Sequence, residues 1–306
     1  MNILITGSSG EIGTNIGLAL LDRGDAVLGL DIRPNSWTDR IETRIFDLTV
    51  TASEALPSSA FDVVLHLAAH AKVFELVEHP ERAMENIRML FPVLDFCRRS
   101  KTPIVFGSSR EVYGDIHRHL TDEESADFVV AESPYSASKI AGEAMIYSFA
   151  RCYGLPYLVF RFSNVYGRYD NDLQRLERVI PLFADRIARQ QPIIVYGREK
   201  VLDFTYVDDC VTGVMAGIDA LVESRVENQT INLASGTGHT LVELVNMIGQ
   251  AVDRKAKVTY EDSRVGEVTR YVADISKARD LLGYTARRSL KEGIALAVAW
   301  QRSMGG

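Results

Sequence analysis

Tyr135 and Lys139 stand four positions apart in the stretch YSASK, directly after Pro134. On a helix that spacing puts both side chains on one face. A free tyrosine has a pKa of about 10 and is a poor base near neutral pH. An ammonium beside it, together with a positively charged cofactor ring, favours the phenolate and lowers that value. A hydroxyl, Ser109, lies upstream at the end of an expected strand. Such a trio can move a proton on and off an alcohol while a hydride leaves its carbon. Next to Ser109 come Arg110 and Glu111, and Glu111 is either a second base or the ion-pair partner of Arg110.

A hydride needs an acceptor. The N-terminal stretch TGSSGEIG places Gly7, Gly10 and Gly13 around Glu11 and Ile12, after a β-rich run and before a helical one. Glycines at that junction allow a tight turn and close approach of backbone to a pyrophosphate, which then meets the free N–H groups of the helix. Asp31 ends the second expected strand, where a carboxylate binds the adenosine ribose hydroxyls and repels a 2′-phosphate. That favours NAD over NADP, although Arg33 two residues on would suit the phosphate. Asp47, with Leu48 after it, closes the third expected strand; Asp47 is placed either to meet the adenine or to hold a turn.

The elements that position these residues alternate. Strand-like runs at 2–7, 26–32, 43–48, 61–69, 102–108 and 157–163 are separated by helical patterns at 12–23, 82–99 and 134–153. Unbroken apolar runs suit parallel strands covered on both faces. Alternation implies βαβ units in a doubly wound parallel sheet. After about residue 165 helical patterns (176–190, 209–222, 240–252, 276–282, 289–303) mix with short strands (193–196, 229–233, 257–260). We therefore expect a nucleotide-binding domain over 1–165, with segments near 205–235 returning to it. An interleaved, smaller α/β lobe over 166–306 is expected to bind the substrate.

The 306 residues carry 46% apolar and 25% charged side chains, as ordinary globular proteins do. A net charge of −7 argues against a nucleic-acid partner. No apolar run is long enough for a membrane span, and MNILITG enters a strand directly, with no leader pattern. Three scattered cysteines, Cys97, Cys152 and Cys210, give neither a disulfide framework nor a metal site. Reduced thiols in a cytoplasmic protein are expected.

In order, TGSSGEIG, HLAAHAKV, SSREVYG, SPYSASK, RFSNVYG and LDFTYVDD resemble the extended short-chain dehydrogenases/reductases. Within them the likeness is to the nucleotide-sugar epimerase/dehydratase family typified by UDP-galactose 4-epimerase, and it covers nearly the whole chain. The resemblance implies a Rossmann-type domain, bound NAD and a UDP-linked sugar. It implies Tyr135 as base, Lys139 on the nicotinamide ribose, and Ser109 on the sugar O4. Ala68, Ala69 and Asn86 would border the cofactor. Lys72 and Asn164 would border the substrate, with Tyr196 and Arg198 near its nucleotide, and Arg264 and Glu267 would bind that nucleotide's phosphate and ribose. It also implies a homodimer through helices near 82–99 and 134–153, whose sequences NIRMLFPVLDFC and IAGEAMIYSFA are apolar on more than one face.

Three departures from the family pattern matter. Leu202 stands where an arginine is usual, so Arg198 or Lys200 would have to supply that cation. Glu11 replaces a large apolar residue; turned inward it would repel a pyrophosphate, so it is expected to face solvent. Dehydratases of the family carry Thr-Asp-Glu where this chain has Ser109-Arg110-Glu111. Arginine cannot donate a proton near neutral pH, so the dehydratase acid is missing, although Arg110 could bind a sugar carboxylate. The reading that results is C4 epimerisation of a UDP-hexose or UDP-uronic acid through a 4-ketone. A 4,6-dehydratase or uronate decarboxylase using Glu111 is the alternative. A net reductase or oxidase, or a regulatory protein that senses nucleotides, is further off.

Overall fold

The computed structural model describes residues 1–57, 60–114, 123, 131–170 and 178–304. Strand β1 (Asn2–Thr6) leads through the glycine turn into α1 (Glu11–Arg23), followed by β2 (Ala26–Asp31), β3 (Glu42–Ile45) and β4 (Val63–His66). Helices α2 (Val73–Glu78) and α3 (Glu81–Ser100) precede β5 (Ile104–Ser109), α4 (Pro134–Tyr153) and β6 (Tyr157–Phe162). Next come β7 (Asn164–Tyr166), α5 (Val179–Ala188), β8 (Pro192–Tyr196), β9 (Val201–Tyr206) and α6 (Val207–Val222). The chain ends with β10 (Gln229–Leu233), β11 (Gly238–Thr240), α7 (Leu241–Val252), β12 (Lys257–Glu261), β13 (Arg270–Tyr271), α8 (Ser276–Leu282) and α9 (Leu290–Met304).

Seven strands form one parallel sheet in the order β3–β2–β1–β4–β5–β6–β10. This is the doubly wound Rossmann-type fold read from the alternation. Successive side chains of a strand point to opposite faces. Ile3, Ile5, Val63, Leu65 and Val105 thus enter one core, while Leu4, Val64, Ile104 and Phe106 enter another. Both faces are dry, which is why the strands read as continuous apolar runs. Each fully buried aliphatic side chain contributes ~1.5–3 kcal/mol.

The strand order reverses between β1 and β4. Open α/β sheets bind ligands outside the carboxyl ends of their strands at such a point. The glycine turn after β1 and the bend through Ala68 and Ala69 after β4 meet there. A Cβ on Gly7 would lie 2.7 Å from the Ala68 backbone nitrogen, and φ at Gly7 is +75°.

Strands β7, β11 and β13 all pair with β9, and β8 pairs with β12. Strands β7 and β9 lie outside the elements marked by periodicity. In β9 the reason is Asp203, fully buried yet charged in type. It accepts hydrogen bonds from Ser235 N (2.9 Å), Ser235 Oγ (2.8 Å) and Gly236 N (2.9 Å). A polar residue held that way interrupts the apolar signature. Trp37, Tyr169 and Trp300 form an aromatic cluster that ties α9 to the loop after β2, with centroids 5.3–5.8 Å apart.

Candidate active site

Helix α4 begins with a capping box: Ser136 N donates to Ser133 Oγ (3.1 Å), and Ser133 N donates to Ser136 Oγ (2.9 Å). Pro134 at its start suits the fixed φ of a first turn. The box fixes where the helix starts and so how its faces turn. Tyr135, Lys139 and Glu143 share the buried face. The hydroxyl of Ser109, the last residue of β5, lies beside Tyr135 and favours its phenolate. Lys139 Nζ donates to the Gly107 carbonyl at 2.8 Å and lies 5.9 Å from the Tyr135 ring centre. The structure therefore brings Ser109, Tyr135 and Lys139 together.

Burial governs their acidity. It pushes the Tyr135 phenol up to about 12, against the downward pull of Ser109 and of Arg178 and Arg110. Desolvation of the phenolate outweighs these neighbouring charges, which leaves the positive cofactor ring, expected beside the ammonium, to favour the phenolate. Burial also brings Lys139 down to about 8, and Glu143 opposes that fall.

Arg110 and Glu111 do pair, at 2.9 Å between Nη2 and Oε1. Arg110 Nη2 also donates to Asn164 Oδ1 (3.1 Å), and Asn164 Nδ2 donates to the Asp203 carbonyl (2.7 Å). Burial raises the Glu111 carboxyl, Arg110 and Lys200 lower it, and Glu267 adds to the rise. Glu111 Oε2 and Arg110 Nη1 are buried without a hydrogen-bond partner. Both therefore have bonding capacity left for a bound group.

On the cofactor side, Gly10 caps α1 without a side-chain bond, so the first-turn N–H groups are available to an anion. A Cβ on Gly13 would lie 2.3 Å from the Gly7 carbonyl oxygen, which explains glycine there. Asp31 accepts from Ser9 N (3.0 Å) and Arg33 N (3.3 Å), while Arg33 Nη2 donates to the Ser9 carbonyl (3.0 Å). An uncapped helix start, flush glycines and a carboxylate at the end of β2 fit a dinucleotide. Ile12 packs against the core, Leu48 is buried within it, and exposed Asp47 accepts from Thr49 N at 2.8 Å as a turn residue. Asn86 braces the bend after β4, accepting from His70 N (2.7 Å) and donating to Ser138 Oγ (3.0 Å). Lys72 is the residue before α2 and is half-buried.

Glu11 requires a correction. It is 3% exposed, and its Oε2 accepts from Arg178 Nη1 at 2.5 Å. An inward carboxylate is tolerated because a guanidinium answers it.

Of the nucleotide-side residues, Arg198 lines an open cleft of about 970 Å³, together with Lys200, Tyr260 and Arg270 among others. Lys200 is buried and bound to Glu267 at 2.5 Å. Arg198 lies over the Tyr260 ring at 5.1 Å, and Arg264 lies over Tyr196 at 3.9 Å and over Phe74 at 4.7 Å. Leu202 is core. Of the two cations considered in its place, Arg198 faces the cleft without a carboxylate partner among the described residues.

Sequence reasoning passed over Arg161, Glu143, Asp170 and Arg178. Glu143 was findable, four residues beyond Lys139 on the same helix face. Arg178 gave no local signal.

A fold of this topology, with a glycine turn at the switch point and a Ser–Tyr–Lys set at the end of β5, defines an NAD-binding enzyme of the extended short-chain dehydrogenase/reductase class. The chain belongs to the NAD dependent epimerase/dehydratase family, whose model matches residues 3–234. It is 30% identical over 323 residues to the uncharacterized UDP-glucose epimerase YtcB of Bacillus subtilis (strain 168), covering 99% of each chain. Its structure is similar to that of a UDP-glucose 4-epimerase with UDP-glucose from Thermotoga maritima (TM-score 0.92, 27% identity, 100% of each chain). It is also similar to a UDP-glucuronic acid 4-epimerase from Bacillus cereus in complex with UDP-glucuronic acid and NAD (TM-score 0.89, 25% identity, 99% of this chain and 100% of that one).

Proposed function

We propose that this protein is an NAD-dependent 4-epimerase of a UDP-linked hexose or uronic acid. The observation that carries the reading is the placement of Ser109 and the Lys139 ammonium beside the Tyr135 phenol. Tyr135 takes the proton of the sugar's 4-hydroxyl, and Ser109 bridges the two. When bound, NAD⁺ accepts the C4 hydride and returns it. Tyr135 delivers the proton back once the 4-ketone has turned its other face, and C4 is inverted. Lys139 holds the charge that favours the phenolate. Asn164, Tyr196, Arg198, Arg264 and Glu267 hold the nucleotide handle, which orients the sugar and supplies rate by positioning. Gly7, Gly10, Ile12, Gly13, Asp31, Asp47, Leu48, Ala68, Ala69 and Asn86 border the cofactor, and Lys72 the substrate mouth.

Division into 1–165 and 166–306 belongs to the same proposal, supported by the return of β10 to the large sheet beside β6. A homodimer through α3 and α4 is supported by Met84, Phe91 and Tyr147, which are 55%, 55% and 58% exposed on those helices. Light scattering at micromolar concentration tests it, and a monomer mass rejects it. No described helix is long and apolar enough to cross a membrane. The free cysteines support a cytoplasmic setting.

A second reading has an observation of its own. Glu111 Oε2 is buried without a partner and burial raises its carboxyl, as suits a base at C5 of a dehydratase or uronate decarboxylase. Proton NMR in D₂O with UDP-glucose, UDP-N-acetylglucosamine, UDP-glucuronate and dTDP-glucose separates the two. Epimerisation returns the substrate's own hydride, so a C4-inverted sugar without ring deuterium is expected. Deuterium at C5, with a keto product or loss of CO₂, would transfer the chemistry to Glu111.

A further inference from the structure

The carboxylate inside the glycine loop has an unusual setting. Glu11 and Asp170 are 3% and 1% exposed, and they share one guanidinium, that of Arg178. Arg178 Nη1 binds Glu11 Oε2 at 2.5 Å and Nε lies 3.1 Å from Asp170 Oδ1. Glu11 Oε1 and both Asp170 oxygens lack hydrogen-bond partners. Burial raises both carboxyls above their ordinary values. Arg178 itself keeps 34% of its side chain accessible, and no bond to a described residue engages its Nη2. The cluster thus turns its carboxylates inward and leaves its cation reachable, beside a helix start that has no cap.

We propose that Arg178 is a cofactor-binding residue: its free Nη2 edge meets the diphosphate of NAD while its Nη1 edge neutralises the carboxylate that Glu11 places in the glycine loop. The physical need is plain. An unanswered carboxylate at the start of α1 would oppose a diphosphate bound to the first-turn N–H groups, and arginine's planar fork can serve two anions at once. Residue 178 immediately precedes α5, outside the glycine-loop segment, so the cofactor site draws a cation from the second half of the chain. The proposal rests on NAD being the cofactor.

NAD⁺ titration of cofactor-stripped protein by calorimetry, with the bound NAD content of each purified variant, tests it. Arg178→Gln raises the NAD⁺ Kd by about 10–100-fold, the range of one charge-assisted hydrogen bond. Arg178→Lys recovers part of the loss. Glu11→Gln relieves Arg178 of one carboxylate and binds NAD⁺ several-fold tighter, a result that does not depend on whether Arg178→Gln folds. The double variant Glu11→Gln/Arg178→Gln binds better than Arg178→Gln alone. A Kd for Arg178→Gln within about twofold of wild type, or weaker binding by Glu11→Gln, overturns the proposal. Wild-type protein that neither carries nor binds NAD⁺ would instead overturn the cofactor reading itself.

Discussion

Two arginine–carboxylate clusters flank the site and differ in their bonding. Behind Lys139, Arg161 binds both oxygens of Glu143, through Nε (3.0 Å) and Nη2 (2.7 Å), and Nη1 donates to the Glu123 carbonyl (2.7 Å). Ser108 Oγ also donates to Glu143. Every guanidinium nitrogen is engaged, and Arg161 lies 4.7 Å from the centre of the Tyr113 ring. Beside the glycine loop, Arg178 faces two carboxylates most of whose oxygens accept no hydrogen bond. A satisfied network rigidifies its surroundings, whereas a partly satisfied one has capacity for something else. The first cluster is a scaffold for the catalytic helix, and the second has the composition of a binding site.

The largest expected contrast is in stability. Arg161→Met strands Glu143 in a dry core and should cost ~3–5 kcal/mol, read as a fall in the urea midpoint. Arg178→Met should cost clearly less, because its carboxylates can take up protons. Equal losses would erase the distinction drawn between the clusters.

The pH dependence sharpens the same contrast. Burial raises Asp170 to about 7. The folded state then holds a proton that the unfolded chain has released between pH ~4 and ~7, so this group's contribution to stability falls as pH rises through that window. Asp170→Asn should flatten that fall in thermal unfolding measured from pH 5 to 8. An unchanged slope would remove Asp170 as its source.

A smaller effect is expected in turnover. Burial holds Lys139 at about 8 and Glu143 supports its charge. Glu143→Gln should move the alkaline limb of kcat to lower pH, and Glu143→Asp should restore part of the shift. A limb that stays in place would make the rear cluster purely structural. The smallest effect belongs to Glu111→Gln, which should leave epimerase kcat within about threefold, since Tyr135 and not Glu111 moves the proton. A loss beyond a hundredfold would favour the C5 reading.

The sequence shows some of this plainly and some not at all. Tyr135 and Lys139 are legible because a helix converts spacing into a shared face. The glycine turn is legible because its requirements are local. Glu11 is misread for the opposite reason. Its burial depends on Arg178, 167 positions away, and a rule about carboxylates near phosphates has no access to such a partner. Strand β9 is hidden by Asp203, whose hydrogen bonds come from Ser235 and Gly236. At the tyrosine, neighbouring charge can be read from spacing, but depth of burial cannot.

The return of β10 to the sheet also bears on how the chain is made. All six residues of β6 are buried, and β10 supplies the strand that pairs along its outer side. Until Gln229–Leu233 have left the ribosome, β6 is a bare edge with apolar faces, the kind that pairs with other chains. The nucleotide-binding half therefore cannot seal itself during synthesis before nearly half of the remaining chain has emerged. Nascent chains that stall between Phe162 and Gln229 are the ones that would need chaperones.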